Sequence, residues 1–268
     1  MFMGDRHCLG CGTELTGEVI TLEHSLPQWL AREIEMPGVA LRHFMHDETQ
    51  PEADRLLRSH GLGTFGARKV CRGCNGGWMS RIETSAKSLI LHLMNQKTSI
   101  MTLTDADRTA LARWATKTAF MIAVVQTTRF DLPWGIFQNL GLHEEDGPNG
   151  SIVLATQQPQ MPKGFLYTCP WDYLSEGQPI QVRFGFSVHH LQFVVVIPIL
   201  QAPRMVAATL GLHIPLWPLD QHILVSYQPA LTQFETSHRY LDYLTNLIHV
   251  GVVDREKMVR MEAVESAG

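Results

Sequence analysis

The spacing of apolar positions changes character near residue 100. Before it, short runs alternate with polar, glycine-containing stretches. Gly17-Glu-Val-Ile-Thr-Leu22 is rich in β-branched residues and predicts a strand that brings Glu23 and His24 to its end. Pro27 opens a segment with Trp29, Leu30 and Ile34 on one side, which predicts a short helix closed by Pro37 and Gly38. Residues 37 to about 66 are polar and irregular and read as a variable or substrate-facing loop, with His43, His46 and His60 given no role. Ala67-Arg-Lys-Val-Cys71 predicts a second strand of a hairpin-like unit. Trp78, Ile82, Ala86, Leu89, Ile90 and Leu93 then recur at three- and four-residue steps, predicting a helix with one buried face and Asn75 as its N-cap.

After residue 100 the elements lengthen. Thr104-Asp-Ala-Asp107 predicts a capping box opening a long helix, packed through Leu111, Trp114, Ala115, Thr118, Met121, Ile122 and Val125. Beyond Pro133 the pattern turns to strands, predicted at 151–156, 165–168, 180–188, 191–199 and 222–227. His189-His190 reads as an exposed tight turn between two of them. A last helix is expected from 237 to about 250, and the residues from Arg255 onward are expected to fray. These elements predict an α+β protein in two domains, 1–100 and 101–268. The second is built on a mostly antiparallel sheet and would recognise substrate, bind a partner or regulate access.

Composition narrows the class. With 268 residues, 45% hydrophobic and 18% charged, the chain is globular and long enough for a sizeable core. A net charge of -4 gives no global attraction for nucleic acid, so binding would need a local basic surface. Arg68, Lys69, Arg72 and Arg81 supply one candidate, read either as phosphate contacts or as an ordinary solvated face. The longest apolar run, Leu191 to Leu200, is interrupted by Gln192 and Pro198 and falls short of the about 20 residues of a membrane span. The N-terminus has no charged start followed by an apolar stretch, so a cytoplasmic location with reduced thiols is expected.

The chemistry concentrates around two cysteine pairs. Cys8-x-x-Cys11 and Cys71-x-x-Cys74 use four of the five cysteines and leave Cys169 apart. Two residues between thiols let both point at one ion from a tight turn, so the pairs together predict a structural four-cysteine Zn²⁺ site. Between them lie Glu23-His24, and Cys74 runs directly into Asn75.

This order resembles the HNH, or ββα-metal, endonuclease family, in particular members stapled by a four-cysteine zinc site. The resemblance covers roughly the first hundred residues. It implies a ββα-metal fold there, phosphodiester hydrolysis with DNA as substrate, His24 as general base, and Glu23 and Asn75 as ligands of a catalytic divalent cation. Their oxygen donors suit Mg²⁺ or Mn²⁺. Glu83, two turns beyond Asn75, is a further candidate ligand, its alternative being an ion pair with Lys87. The chain departs from the family in having Glu23 where Asp is common, in a long segment between the half-motifs, and in lacking a middle asparagine between His24 and Cys71. The rival reading is a non-catalytic zinc module binding nucleic acid or a protein partner. A thiol or redox enzyme is a third.

Overall fold

The computed structural model describes residues 6–34, 40–45, 55–61, 66–125, 132–157, 165–168, 171–173, 179–198, 205–207, 214–217 and 250–252. Helices and antiparallel sheet are mixed throughout, so the class is α+β. Strand β1 (Ile20–His24) pairs antiparallel with β4 (Gly66–Cys71), with Ile20 opposite Cys71 and His24 opposite Gly66. An irregularity between Thr21 and Glu23 shifts the register. Helix α1 (Gln28–Glu33) follows β1 as the apolar spacing predicts, burying Leu30.

Residues 37–66 depart from the expected loop. They contain β2 (Ala40–Met45) and β3 (Arg55–Gly61), an antiparallel pair. A register shift between His43 and Phe44 interrupts the period-two alternation by which such strands are recognised in sequence.

After β4 the chain turns through Arg72–Cys74 and a kinked stretch, Asn75–Met79, where Gly77 leaves helical angles at φ -94° and ψ -115°, into α2 (Ser80–Met94). Trp78, Ile82, Ala86, Ile90 and Leu93 are buried, as their spacing predicts. Asn75 is not the cap. Helical turning begins at Arg72, capped by Cys71, whose sulfur accepts from the Cys74 amide, and Asn75 already has right-handed helical angles.

The next long helix, α3 (Asp105–Val125), opens on the expected capping box. Asp107 accepts from the Thr104 amide at 3.0 Å, and Thr104 Oγ1 accepts from the Asp107 amide at 3.2 Å. From Leu111 to Ala123 this helix is buried on every side, not on one stripe, because it lies between two layers. It packs on β4 and α2 one way and on the large sheet the other. Trp114 meets Phe186 and Phe193 of the sheet, whereas Phe120 meets Trp134 and Phe137 of α4 (Trp134–Leu142). Helix α4 falls where only strands were expected.

The large sheet has the order β11-β5-β9-β8-β6, with β7 also paired to β8, all antiparallel. Its strands are β5 (Ile152–Gln157), β6 (Phe165–Thr168), β7 (Trp171–Tyr173), β8 (Pro179–Val188), β9 (Leu191–Pro198) and β11 (Ile214–Trp217). A separate pair joins β10 (Met205–Ala207) to β12 (Val250–Val252). The β9 run is apolar because both its faces are buried. Phe193, Val195 and Ile197 join the main core, and Val194 and Val196 pack with Leu154 on the other side.

His189-His190 forms the expected two-residue turn, with His189 at φ 49°. His189 is buried rather than surface-exposed, because the strand ends it joins are themselves covered on both faces. The expected strand at 222–227, the fraying tail and the last helix lie outside the described residues, apart from Val250, which is in β12. One apolar core runs from Cys8 to Leu216 and crosses residue 100 without a break. Among the described residues, no helix is long and apolar enough to cross a membrane.

Candidate metal centre and the charged cluster beside it

Cys8 and Cys11 lie on a tight turn in which Gly12 adopts φ 75° and donates to the Cys8 carbonyl at 2.8 Å. Cys71 ends β4 and Cys74 follows within one helical turn. Two backbone bonds dock these pieces together: the Leu9 amide to the Lys69 carbonyl at 2.9 Å, and the Arg72 amide to the Val19 carbonyl at 2.8 Å. The four sulfurs consequently lie within 4.8 Å of one another and are positioned to hold a metal ion. Cys11 and Cys71 sulfurs are 3.7 Å apart. A tetrahedral ion with arms of about 2.3 Å needs sulfur separations of about 3.8 Å, so the geometry fits.

The electrostatics fit as well. Cys8 Sγ accepts from the Cys71 amide at 3.2 Å, and Cys71 Sγ accepts from the Cys74 amide at 3.4 Å. Donation from the Cys74 thiol, aided by backbone amides, brings the Cys8 thiol down to about 4. The Cys74 thiol is pushed up chiefly by that same bond to Cys8, and Cys71 chiefly by burial. Four thiolates this close repel unless a cation lies between them. Gly10 closes the seat, since a Cβ there would stand 3.0 Å from Cys74 Sγ and 3.2 Å from the Trp78 ring.

Beside this centre lies a cluster the sequence did not disclose. Glu23 is 5% exposed and points into the protein, where it forms an ion pair with Lys117 of α3 without an aligned hydrogen bond. Lys117 Nζ also donates to Glu83 Oε1 at 2.6 Å. Burial pushes the Glu23 carboxyl above its ordinary value, against the attraction of Lys117. Burial is also the largest influence on Lys117 and pulls it down, but Glu23 and Glu83 together leave the ammonium above the ordinary lysine value.

Of the expected site residues, Glu23 and Glu83 do come together, across Lys117. His24 alternates to the other side of β1, half-buried, with Nε2 3.4 Å from Gln28 Nε2. Asn75 reaches β1 two residues away, its amide donating to the Leu22 carbonyl at 3.2 Å and Thr21 Oγ1 at 3.3 Å. Glu83 does not take Lys87, whose ammonium lies over the Trp29 ring at 5.4 Å. In the basic group, Arg68 and Arg72 are exposed and Lys69 is half-buried. Arg81 is engaged by Glu144 through two bonds, one at 2.6 Å, which hold its guanidinium above its ordinary value.

Lys117, Gln28 and Thr21 were therefore missed. For Lys117 a signal existed, because it is the one lysine within the otherwise apolar or small 114–125 stretch of α3.

The chain matches no family model, no curated protein and no solved structure.

Proposed function

We propose that this protein is a zinc-stapled endonuclease that hydrolyses phosphodiester bonds in nucleic acid, with DNA the favoured substrate. One observation carries the reading. The antiparallel pair β1/β4 leads directly into a helix, with both cysteine pairs gathered at one end, a half-buried histidine at the other end of β1, and Asn75 tied to the same strand. A purely structural sulfur centre requires neither His24 nor Asn75. Zinc is the metal favoured by four sulfur donors at tetrahedral spacing.

In this reading the His24 imidazole takes the proton of the attacking water, which displaces the 3.4 Å contact of the Gln28 amide nitrogen with His24 Nε2. The exposed Arg68 and Arg72, together with Lys69, receive the phosphate backbone. Phosphodiester hydrolysis also needs relief of charge at the leaving oxygen, a role that Mg²⁺ or Mn²⁺ fills in many nucleases. The donor set expected for such an ion, Glu23, Asn75 and Glu83, does not fit it as a unit, because both carboxylates face the Lys117 ammonium.

That burial of Glu23 favours a second reading, a non-catalytic zinc module that binds nucleic acid or a protein partner. Plasmid cleavage with Mg²⁺, Mn²⁺ or EDTA, run beside His24→Ala, separates the two. The endonuclease reading expects His24→Ala to keep its zinc and its nucleic-acid affinity but to lose cleavage by about 100- to 10,000-fold. Parental cleavage by His24→Ala overturns the assigned base. Binding without cleavage by the parent under every condition selects the second reading.

A further inference from the structure

An ammonium buried without partners is strongly unfavourable, so a fully buried lysine points to what surrounds it. Lys117 Nζ is 2.6 Å from Glu83 Oε1 and in contact with Glu23 Oε1, and its side chain is inaccessible to solvent. The three residues come from α3, α2 and β1, so a single cation joins three elements that are separate in sequence. Two carboxylates converging on one point are otherwise the donor set of a hard divalent ion. We propose that Lys117 occupies the cation position between Glu23 and Glu83, keeps a divalent ion out of it, and acts as a positioning residue that fixes the end of β1 and with it His24.

The link to His24 is short. Glu23 immediately precedes it in β1. On the opposite strand, Gly66 lies so close that a Cβ there would stand 2.3 Å from the Glu23 carbonyl oxygen and 3.1 Å from His24 Cα. Held by Lys117 through its side chain and by Gly66 against its backbone, Glu23 leaves the following residue little freedom. The first part of the proposal is independent of any activity. The positional part gains its catalytic meaning from the endonuclease reading, but it concerns where an imidazole sits and is tested without cleavage.

The sign of the pH dependence follows from the groups that face one another. Lys117 faces Glu23 and Glu83, and Glu23 faces Lys117 and Glu83, with His24 on the other side of β1 reaching it only through its charge. In the parent, the raised Lys117 value contributes stability that is lost as pH rises through the raised value, and the raised Glu23 value already makes stability fall as pH rises above the ordinary carboxylate range, a fall that loss of Lys117 deepens. In Lys117→Met, Glu23 loses its cation, and the folded chain keeps a proton there that the unfolded chain releases. The stability of the variant therefore falls as pH rises above the ordinary carboxylate range, by up to about tenfold in the folding equilibrium per pH unit.

The test uses the zinc-loaded full chain as parent, Glu83→Gln, Lys117→Met and Lys117→Met/Glu83→Gln. Thermal midpoints are measured from pH 5 to 9, Mn²⁺ binding is followed by its paramagnetic resonance, and imidazole signals are followed by NMR. Lys117→Met is expected to lower the midpoint by about 10 °C at pH 8 and by clearly less at pH 5, and Glu83→Gln added to it is expected to restore part of the loss. Glu83→Gln alone should leave Mn²⁺ binding by the parent within about twofold, since that carboxylate serves no metal. In the double variant, which removes one charge of each sign, the His24 signals should shift or broaden while those of His92 on α2 stay in place. Loss of Mn²⁺ binding in Glu83→Gln overturns the cation assignment. A pH-independent Lys117→Met effect, additive with Glu83→Gln, overturns it too. Unmoved His24 signals in the folded double variant overturn the positional role. If Lys117→Met fails to fold, Glu83→Gln and the double variant still decide each point.

Discussion

Two charged clusters hang from the same strand pair, and they obtain their cations differently. The sulfur cluster draws on soft donors from two turns and is positioned to take an ion from solution. The carboxylate cluster draws on two hard donors, and the chain itself supplies the ammonium through α3. A metal held by the first would make the fold answer to metal supply and thiol oxidation. The second makes it answer to whether α3 is docked. A protein with both can therefore lose its N-terminal order by two chemically independent routes.

The largest effect expected from breaking this comparison is on the sulfur side. Structural zinc sites in small domains bind with apparent free energies of about 10–16 kcal/mol, so metal binding and folding there are one event. Cys74→Ser, or chelation of the parent, should abolish amide-exchange protection of β1 and β4, while elemental analysis of the parent gives one zinc per chain. Protected amides in metal-free protein would remove the staple.

A smaller effect isolates the other cluster. Gly66→Ala forces a methyl group against the Glu23 carbonyl, a backbone atom that cannot turn aside. Overpacking of this kind costs about 1–3 kcal/mol. The denaturant midpoint should fall with zinc content unchanged, because the sulfurs lie at the opposite end of the pairing, where Ile20 faces Cys71. Coupled loss of zinc would show that the two clusters are one unit.

The smallest effect tests the basic surface. Arg81 is 61% and Glu144 39% exposed, so their pair is screened by solvent and Glu144→Gln should leave the thermal midpoint nearly unchanged. Released from its partner, Arg81 should then raise nucleic-acid affinity at low salt and steepen the salt dependence by about one unit of slope. Unaltered affinity and slope would remove Arg81 from the contact surface.

The sulfur cluster was legible because its code is local: two residues between cysteines already fix how two thiols can point. Strands β1 and β4, the α2 stripe and the Thr104–Asp107 box were legible for the same reason, each resting on neighbours within a turn or a pleat. Lys117 was not, because its meaning lies 34 residues away in Glu83 and farther still in Glu23. Helix α4 was hidden by Gly135 and Gly141, residues of low helix propensity. Gly141 is required by packing, since a Cβ there would stand 2.7 Å from Trp78 Nε1. The end of α4 is held by Arg113, which donates to the carbonyls of Leu140 and His143 at 2.5 and 2.6 Å. The short strands β7, β10 and β11 are defined by partners rather than by any period of their own.

The 60-residue separation between Cys11 and Cys71 also sets an order of events during synthesis. At about 5–20 residues per second, the second pair of thiols follows the first by about 3–12 s, during which Cys8 and Cys11 are an open half-site exposed to any soft metal or oxidant in reach. Once Cys74 has emerged the staple can close, yet Glu23 and Glu83 still wait for α3. A nascent chain halted between Glu83 and Lys117 would have all four thiols of the metal centre but not the ammonium that joins its two carboxylates. The donors of the sulfur centre are thus complete about 43 residues before the cation of the carboxylate cluster is synthesised.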